Sequence, residues 1–134
     1  MPLVEIVQGK QTSNETVAIA KSFVQQLDKN PVVIKDAPGF IVNRLLFTMI
    51  NEACYMLEQD IASVQDIDSA MKLGANFPMG PFQLADLVGI DITYNIINEL
   101  STVLPGFKPP AAKLKKMIEK GDLGRKTGKG FYQY

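Results

Sequence analysis

The sequence contains no histidine and no tryptophan, and a single cysteine, Cys54. Without histidine, the side chain most often used for proton transfer at neutral pH and for metal ligation is missing from these residues. One cysteine cannot close an internal disulfide, so nothing calls for an oxidising compartment. No clustered carboxylates stand at ligand spacing, and no metal site is expected. Net charge is absent too: 14 Lys and Arg balance 14 Asp and Glu. No global field therefore draws nucleic acid or an anionic membrane. No apolar run is long enough to span a bilayer. Met1-Pro2-Leu3-Val4-Glu5 has neither the basic start nor the apolar stretch of a secretory leader. Together these absences lead to an expected cytoplasmic or matrix-like location.

What is present suffices for a sizeable core: 134 residues, of which 46% are apolar and 21% charged, an ordinary globular balance. Leu3-Val4-Glu5-Ile6-Val7 is a short β-prone run closed by Gly9. Thr12-Ser13-Asn14-Glu15 reads as a capping box with Thr12 as the cap. A helix should follow to about Asp28, with Val17, Ala20, Val24 and Leu27 at helical spacing. Val32-Val33-Ile34 is a second β-prone run. Strand, helix and strand make one βαβ unit over residues 1–35, a poor structure alone because parallel strands normally lie inside a larger covered sheet.

From Asp36 the pattern turns helical. Val42, Leu45, Leu46, Met49, Ala53, Met56 and Leu57 form one broad apolar stripe, predicting a long helix from near Phe40 to about Gln59. The polar residues Asn43, Asn51, Glu52 and Glu58 fall largely off it. Ser63 should cap the next helix and Gly74 should end it in the left-handed region. Pro81 opens another that ends at Gly89, Asp91 caps one to about Val103, and Pro109-Pro110 start a last helix through Lys120, closed by Gly121. The domain boundary is expected at Lys35/Asp36, with an all-helical bundle over 36–134.

Four segments stand in register with a known family. They are Leu3-Val4-Glu5; Asp36-Ala37-Pro38-Gly39-Phe40-Ile41-Val42-Asn43-Arg44; Met71-Lys72-Leu73-Gly74 with Pro78-Met79-Gly80-Pro81-Phe82; and Gly124-Arg125-Lys126-Thr127-Gly128-Lys129-Gly130-Phe131-Tyr132. In order and spacing the whole chain resembles the C-terminal part of the NAD-dependent 3-hydroxyacyl-CoA dehydrogenases, of the short-chain bacterial 3-hydroxybutyryl-CoA type. The resemblance implies a mainly α fold: a helical bundle like the 6-phosphogluconate dehydrogenase C-terminal domain, after a short βαβ remnant of a Rossmann domain. That family starts with a Gly-x-Gly-x-x-Gly turn, which this chain does not contain. Its catalytic histidine lies a little upstream of the segment matching Leu3-Val4-Glu5.

The resemblance carries roles onto particular residues. Glu5 matches the glutamate that orients the histidine ring and stabilises its charged form. Asn43 matches the asparagine that hydrogen-bonds near the reacting oxygen. Phe77, Pro78 and Phe82 are candidates to line the acyl pocket. The implied reaction is reversible hydride transfer between a 3-hydroxyacyl-CoA and NAD, the 3-oxoacyl-CoA being the oxidised product. The implied partners are acyl-CoA, an N-terminal dinucleotide-binding domain missing here and a second copy of the chain. NAD belongs to the intact family enzyme and none is expected on this chain alone, which is expected to be inactive. The implied dimer would use the long helix and residues 81–103, where Phe47, Met49, Leu84, Leu87, Ile92, Ile96 and Ile97 offer more apolar surface than a small bundle hides.

Each residue also has a plainer reading. Glu5 fits the solvent side of an edge strand, and Asn43 a surface or capping position. Arg44 could pair with Asp36 or Asp86, or reach a CoA phosphate. Residues 78–82 could be a rigid turn. Lys126-Thr127-Gly128-Lys129 could be an anion nest or a turn docking Phe131 and Tyr132. Cys54 reads as a buried inert thiol. The alternative function is a non-catalytic module that binds acyl-CoA or holds copies together; a third is the helical domain of another dehydrogenase.

Overall fold

The computed structural model describes residues 1–134, which form two compact units, Met1–Arg44 and Leu45–Tyr134. The chain is mainly helical, with six α-helices and one two-stranded parallel sheet.

In the first unit β1 (Leu3–Gln8) and β2 (Asn30–Lys35) pair in parallel, in register from Leu3 opposite Asn30 to Gln8 opposite Lys35. Valine and isoleucine in both runs favour the extended backbone. Pro31 sits inside β2, where it is tolerated because each strand of a two-stranded sheet has a free edge. The crossover is α1 (Asn14–Gln26). Its cap is Ser13 and not Thr12: Ser13 Oγ accepts from the Thr16 amide at 3.1 Å. The Thr12 amide donates to the Gly9 carbonyl instead, so Thr12 belongs to the preceding turn. Val24 packs inward, while Ile19, Phe23 and Leu27, one turn apart from each other, lie exposed on another face.

The second unit takes most of α2 (Val42–Glu58), then α3 (Val64–Gly74), α4 (Pro81–Val88), α5 (Ile90–Val103), α6 (Ala112–Lys120) and a single 3-10 turn, Arg125–Thr127. Its core is built from Phe47, Ile50, Cys54, Phe82, Ile97 and Leu114 among others. Complete burial of such side chains contributes roughly 1.5–3 kcal/mol each.

Three local expectations fail here. Gly74 is the last helical residue of α3, and the left-handed position is Asn76 (φ 57°), whose side chain tolerates it. Gly89, with φ 105°, both ends α4 and precedes α5, so Asp91 lies in the first turn and does not cap. Asn51 is buried, not on the solvent face. Its side-chain amide donates to the carbonyls of Lys108 and Pro109, at 3.2 and 2.9 Å, and its oxygen accepts from the Ala111 amide. An otherwise irregular stretch before α6 thereby finds its hydrogen-bond partners.

Candidate functional site

Glu5 lies on β1, half-buried, opposite Val32. Its Oε1 accepts from the backbone amides of Ile41 and Val42 at 2.8 and 3.3 Å. These amides belong to the start of α2, where N–H groups have no partner within the helix. A carboxylate there also faces the positive end of the helix dipole. Glu5 is therefore not the free solvated carboxylate that strand alternation allows.

The turn between β2 and α2 makes this contact possible. Gly39 and Phe40 are consecutive left-handed residues, with φ of 75° and 49°. The Phe40 amide donates to the Ala37 carbonyl and the Arg44 amide to the Gly39 carbonyl. Helix α2 starts at Val42, two residues later than its apolar stripe predicts, because Phe40 has left the right-handed region. Asn43 is the second residue of α2 and its side chain is exposed. Glu5 and Asn43 are thus drawn to the same helix end, one through its carboxylate and the other by its place in the chain.

Of the remaining candidates, Phe77 and Pro78 lie in the exposed connection between α3 and α4 of the second unit. Phe82 does not face solvent at all: it is 0% exposed, and its ring packs on Phe131 with centroids 4.5 Å apart. A side chain enclosed on all sides by its own core has no surface for an acyl group. The proposed dimer surface is also smaller than expected, since Phe47 and Ile97 are in the core; Leu87 and Ile92 remain exposed.

Sequence reasoning passed over Asp68 and considered Asp86 only as a partner for Arg44; each is 1% exposed. Asp68, on α3, accepts from the Phe82 and Gln83 amides at 2.8 and 3.1 Å and so caps α4 from outside. Tyr132 Oη donates to the same carboxylate. Asp86, on α4, accepts from the Phe131 and Tyr132 amides, both at 2.9 Å, and from Tyr134 Oη at 3.1 Å. Burial, then the bond to Asp68, pushes the Tyr132 hydroxyl well above the usual tyrosine range. Burial also raises Tyr134. The close fit excludes side chains nearby: a Cβ at Gly80 would collide with the Asp68 side chain, and one at Gly130 with Asp86 Oδ1.

The C-terminal tail docks Phe131 and Tyr132 through these bonds. Its lysines are engaged: Lys126 with Asp91 at 2.6 Å and Lys129 with Asp122 at 3.1 Å. The hydrogen bond from Lys126 holds the Asp91 carboxyl below its ordinary value. Cys54 is fully buried, and desolvation pushes its thiol up to about 12.

The β1–α1 turn carries one glycine, Gly9, and a Cβ there would meet nothing closer than Thr12 Oγ1 at 3.5 Å. No group of three or more His, Cys, Asp or Glu that could hold a metal ion occurs, and no helix is long and apolar enough to cross a membrane.

Comparison with known proteins bears on all of these residues. Residues 39–134 match the family model described as 3-hydroxyacyl-CoA dehydrogenase, C-terminal domain, and residues 1–37 that described as 3-hydroxyacyl-CoA dehydrogenase, NAD binding domain. A 3-hydroxybutyryl-CoA dehydrogenase of Bradyrhizobium diazoefficiens is 47% identical over 135 residues, covering 100% of this chain and 46% of that protein. The mitochondrial hydroxyacyl-coenzyme A dehydrogenase of Sus scrofa is 47% identical over 137 residues, covering 100% of this chain and 43% of its own length. Among solved structures, the (S)-3-hydroxybutyryl-CoA dehydrogenase of Ralstonia eutropha superposes with a TM-score of 0.93 at 45% identity, over 100% of this chain and 48% of that one. The chain spans about half the length of the curated relatives it matches.

Proposed function

The chain belongs to the 3-hydroxyacyl-CoA dehydrogenase family, and we propose that its residues are the substrate-shaping and dimer-forming part of such an enzyme. In this reading the complete catalyst oxidises a 3-hydroxyacyl-CoA, of the 3-hydroxybutyryl-CoA type, to the 3-oxoacyl-CoA. NAD accepts the hydride and is held by a dinucleotide-binding partner, in the same polypeptide or a separate one. The observation that carries this reading is the meeting of Glu5 with the start of α2, next to Asn43.

Glu5 is suited to hold the charged form of a proton-carrying imidazole, as a carboxylate does behind the base of a hydrolase triad. Asn43 has both a donor and an acceptor for the substrate oxygen and its surroundings. The imidazole must come from outside these residues, which contain no histidine. Losing a positioned general acid–base costs about 100- to 10,000-fold in rate, so the 134 residues alone should not turn over.

Homodimerisation is part of the proposal. It is supported by an apolar groove of about 480 Å³ between α2 and α3, with Met49, Met56, Ile67 and Met71 in its walls, and by exposed Leu87 and Ile92.

The decisive experiment supplies a dinucleotide-binding domain of the family as a second chain and follows NADH formation from 3-hydroxybutyryl-CoA. Turnover in the mixture and none from the 134-residue chain is expected. Turnover by the chain alone would refute its dependence on a second domain; acyl-CoA binding with no turnover in any mixture would favour a non-catalytic binding module. Sedimentation at micromolar concentration showing only monomer would count against the dimer.

A further inference from the structure

The contact between Glu5 and the turn before α2 has a form that orienting a ring does not require. One oxygen, Oε1, takes both amides, and Oε2 accepts neither. Gly39 and Phe40 both have positive φ, and the two amides that follow them, of Ile41 and Val42, converge on that one oxygen. Glycine enters the left-handed region freely. A bulky side chain such as Phe40 stays there only where surrounding contacts over-determine it. The carboxylate of Glu5, reaching across from β1, is such a contact, and the next residue along α2 is Asn43.

We propose that Gly39, Phe40 and Glu5 Oε1 form a positioning clamp for Asn43, the other oxygen of Glu5 being left to the proton-carrying ring. One carboxylate then sets two things together. It orients the ring through Oε2, and through Oε1 it fixes where α2 begins and hence where the Asn43 amide stands. Base and amide keep their separation because they share one support. Gly39 and Phe40 are positioning residues in this scheme, acting through Glu5 and Asn43 and not on substrate. The catalytic half of the clamp rests on the dehydrogenase reading above; the structural half does not.

The test has two arms. In the first, amide hydrogen exchange is measured by NMR on the 134-residue chain and on E5Q, E5D and E5A. The glutamine keeps an acceptor at the same reach, so exchange at Ile41 and Val42 should stay close to wild type. In E5D and E5A it should rise by about tenfold or more, with the amides of Ile50 and Cys54 unchanged. Wild-type exchange at Ile41 and Val42 in E5A overturns the clamp; wild-type exchange in E5D overturns it equally should the alanine variant not fold.

In the second arm the dinucleotide-binding domain is added and kinetics are read. E5Q should lower kcat with KM for 3-hydroxybutyryl-CoA near wild type, because the ring loses its charge partner while Asn43 stays in place. E5D should lower kcat and raise KM. Equal KM in E5Q and E5D would refute the positioning of Asn43, leaving only a helix cap. If wild type shows no turnover, the dehydrogenase reading falls, and the exchange arm still decides whether the clamp exists.

Discussion

Tyr132 Oη donates to Asp68 Oδ2 at 2.8 Å, joining residues 64 apart in sequence. The same carboxylate holds the first amides of α4, so one buried group ties α3, α4 and the tail. Tyr132→Phe removes a single bond and should cost about 1–2 kcal/mol. Asp68→Ala also strands the Phe82 amide away from water and should cost about 3 kcal/mol or more. Urea unfolding followed by helix ellipticity will rank the two; an equal cost would mean the amides are satisfied some other way.

Gly80 offers a steric test of the same junction. An added Cβ would collide with the Asp68 side chain. Gly80→Ala must push the carboxylate off the α4 amides and should destabilise by about 3 kcal/mol. Gly74→Ala, where nothing lies within 4 Å of the new carbon, serves as the control and should be neutral or better by a few tenths of a kcal/mol.

Alkaline pH should loosen the second unit. The folded state raises Cys54 from 9.0 to about 12, and raises Tyr132 and Tyr134 above 10.0. Groups raised in this way favour the folded state fully below their unfolded values. That contribution is lost as pH climbs, from 9.0 toward 12 for Cys54 and from 10.0 upward for the tyrosines. The melting temperature should fall steeply above pH 9, and less steeply in Cys54→Ala whatever its value at pH 7. At pH 8 a thiol reagent should label the urea-unfolded chain and spare the native one.

Phe40 is a left-handed residue with a large side chain. A β-branched residue is still less suited to that region. Phe40→Val should therefore destabilise by about 1–2 kcal/mol, whereas Phe40→Gly should lie within about 1 kcal/mol of wild type. Thermal unfolding of the two variants checks the order; a more stable valine variant would refute the strain at this position.

Much of this was readable from residue patterns. Six helices follow from apolar spacing, and Ser63, Pro81 and Gly121 mark ends where expected. The parallel strand pair follows from two β-branched runs flanking a helix. The errors fall where tertiary contacts compete with local signals. Thr12 reads as the cap because Glu15 stands three residues on, but the Gly9 carbonyl takes the Thr12 amide and Ser13 caps instead. Asn51 reads as a surface residue because nothing near it in sequence shows that residues 108–111 need its amide. Phe82 reads as pocket lining because its real neighbour, Phe131, is 49 positions away. The roles of Asp68 and Asp86 were hidden for the same reason: a lone aspartate on a helix looks solvated, or open to a nearby cation, unless its distant donors are known.

The dependence of Asp68 and Asp86 on residues 131–134 bears on how the chain is made. Synthesis delivers α3 and α4 some forty to sixty residues before the tyrosines that complete their contacts. Until residues 131–134 leave the ribosome tunnel, Asp86 lacks all three of its donors, while Asp68 can already hold the first amides of α4. Completion of this unit is therefore deferred until after its last turn has emerged.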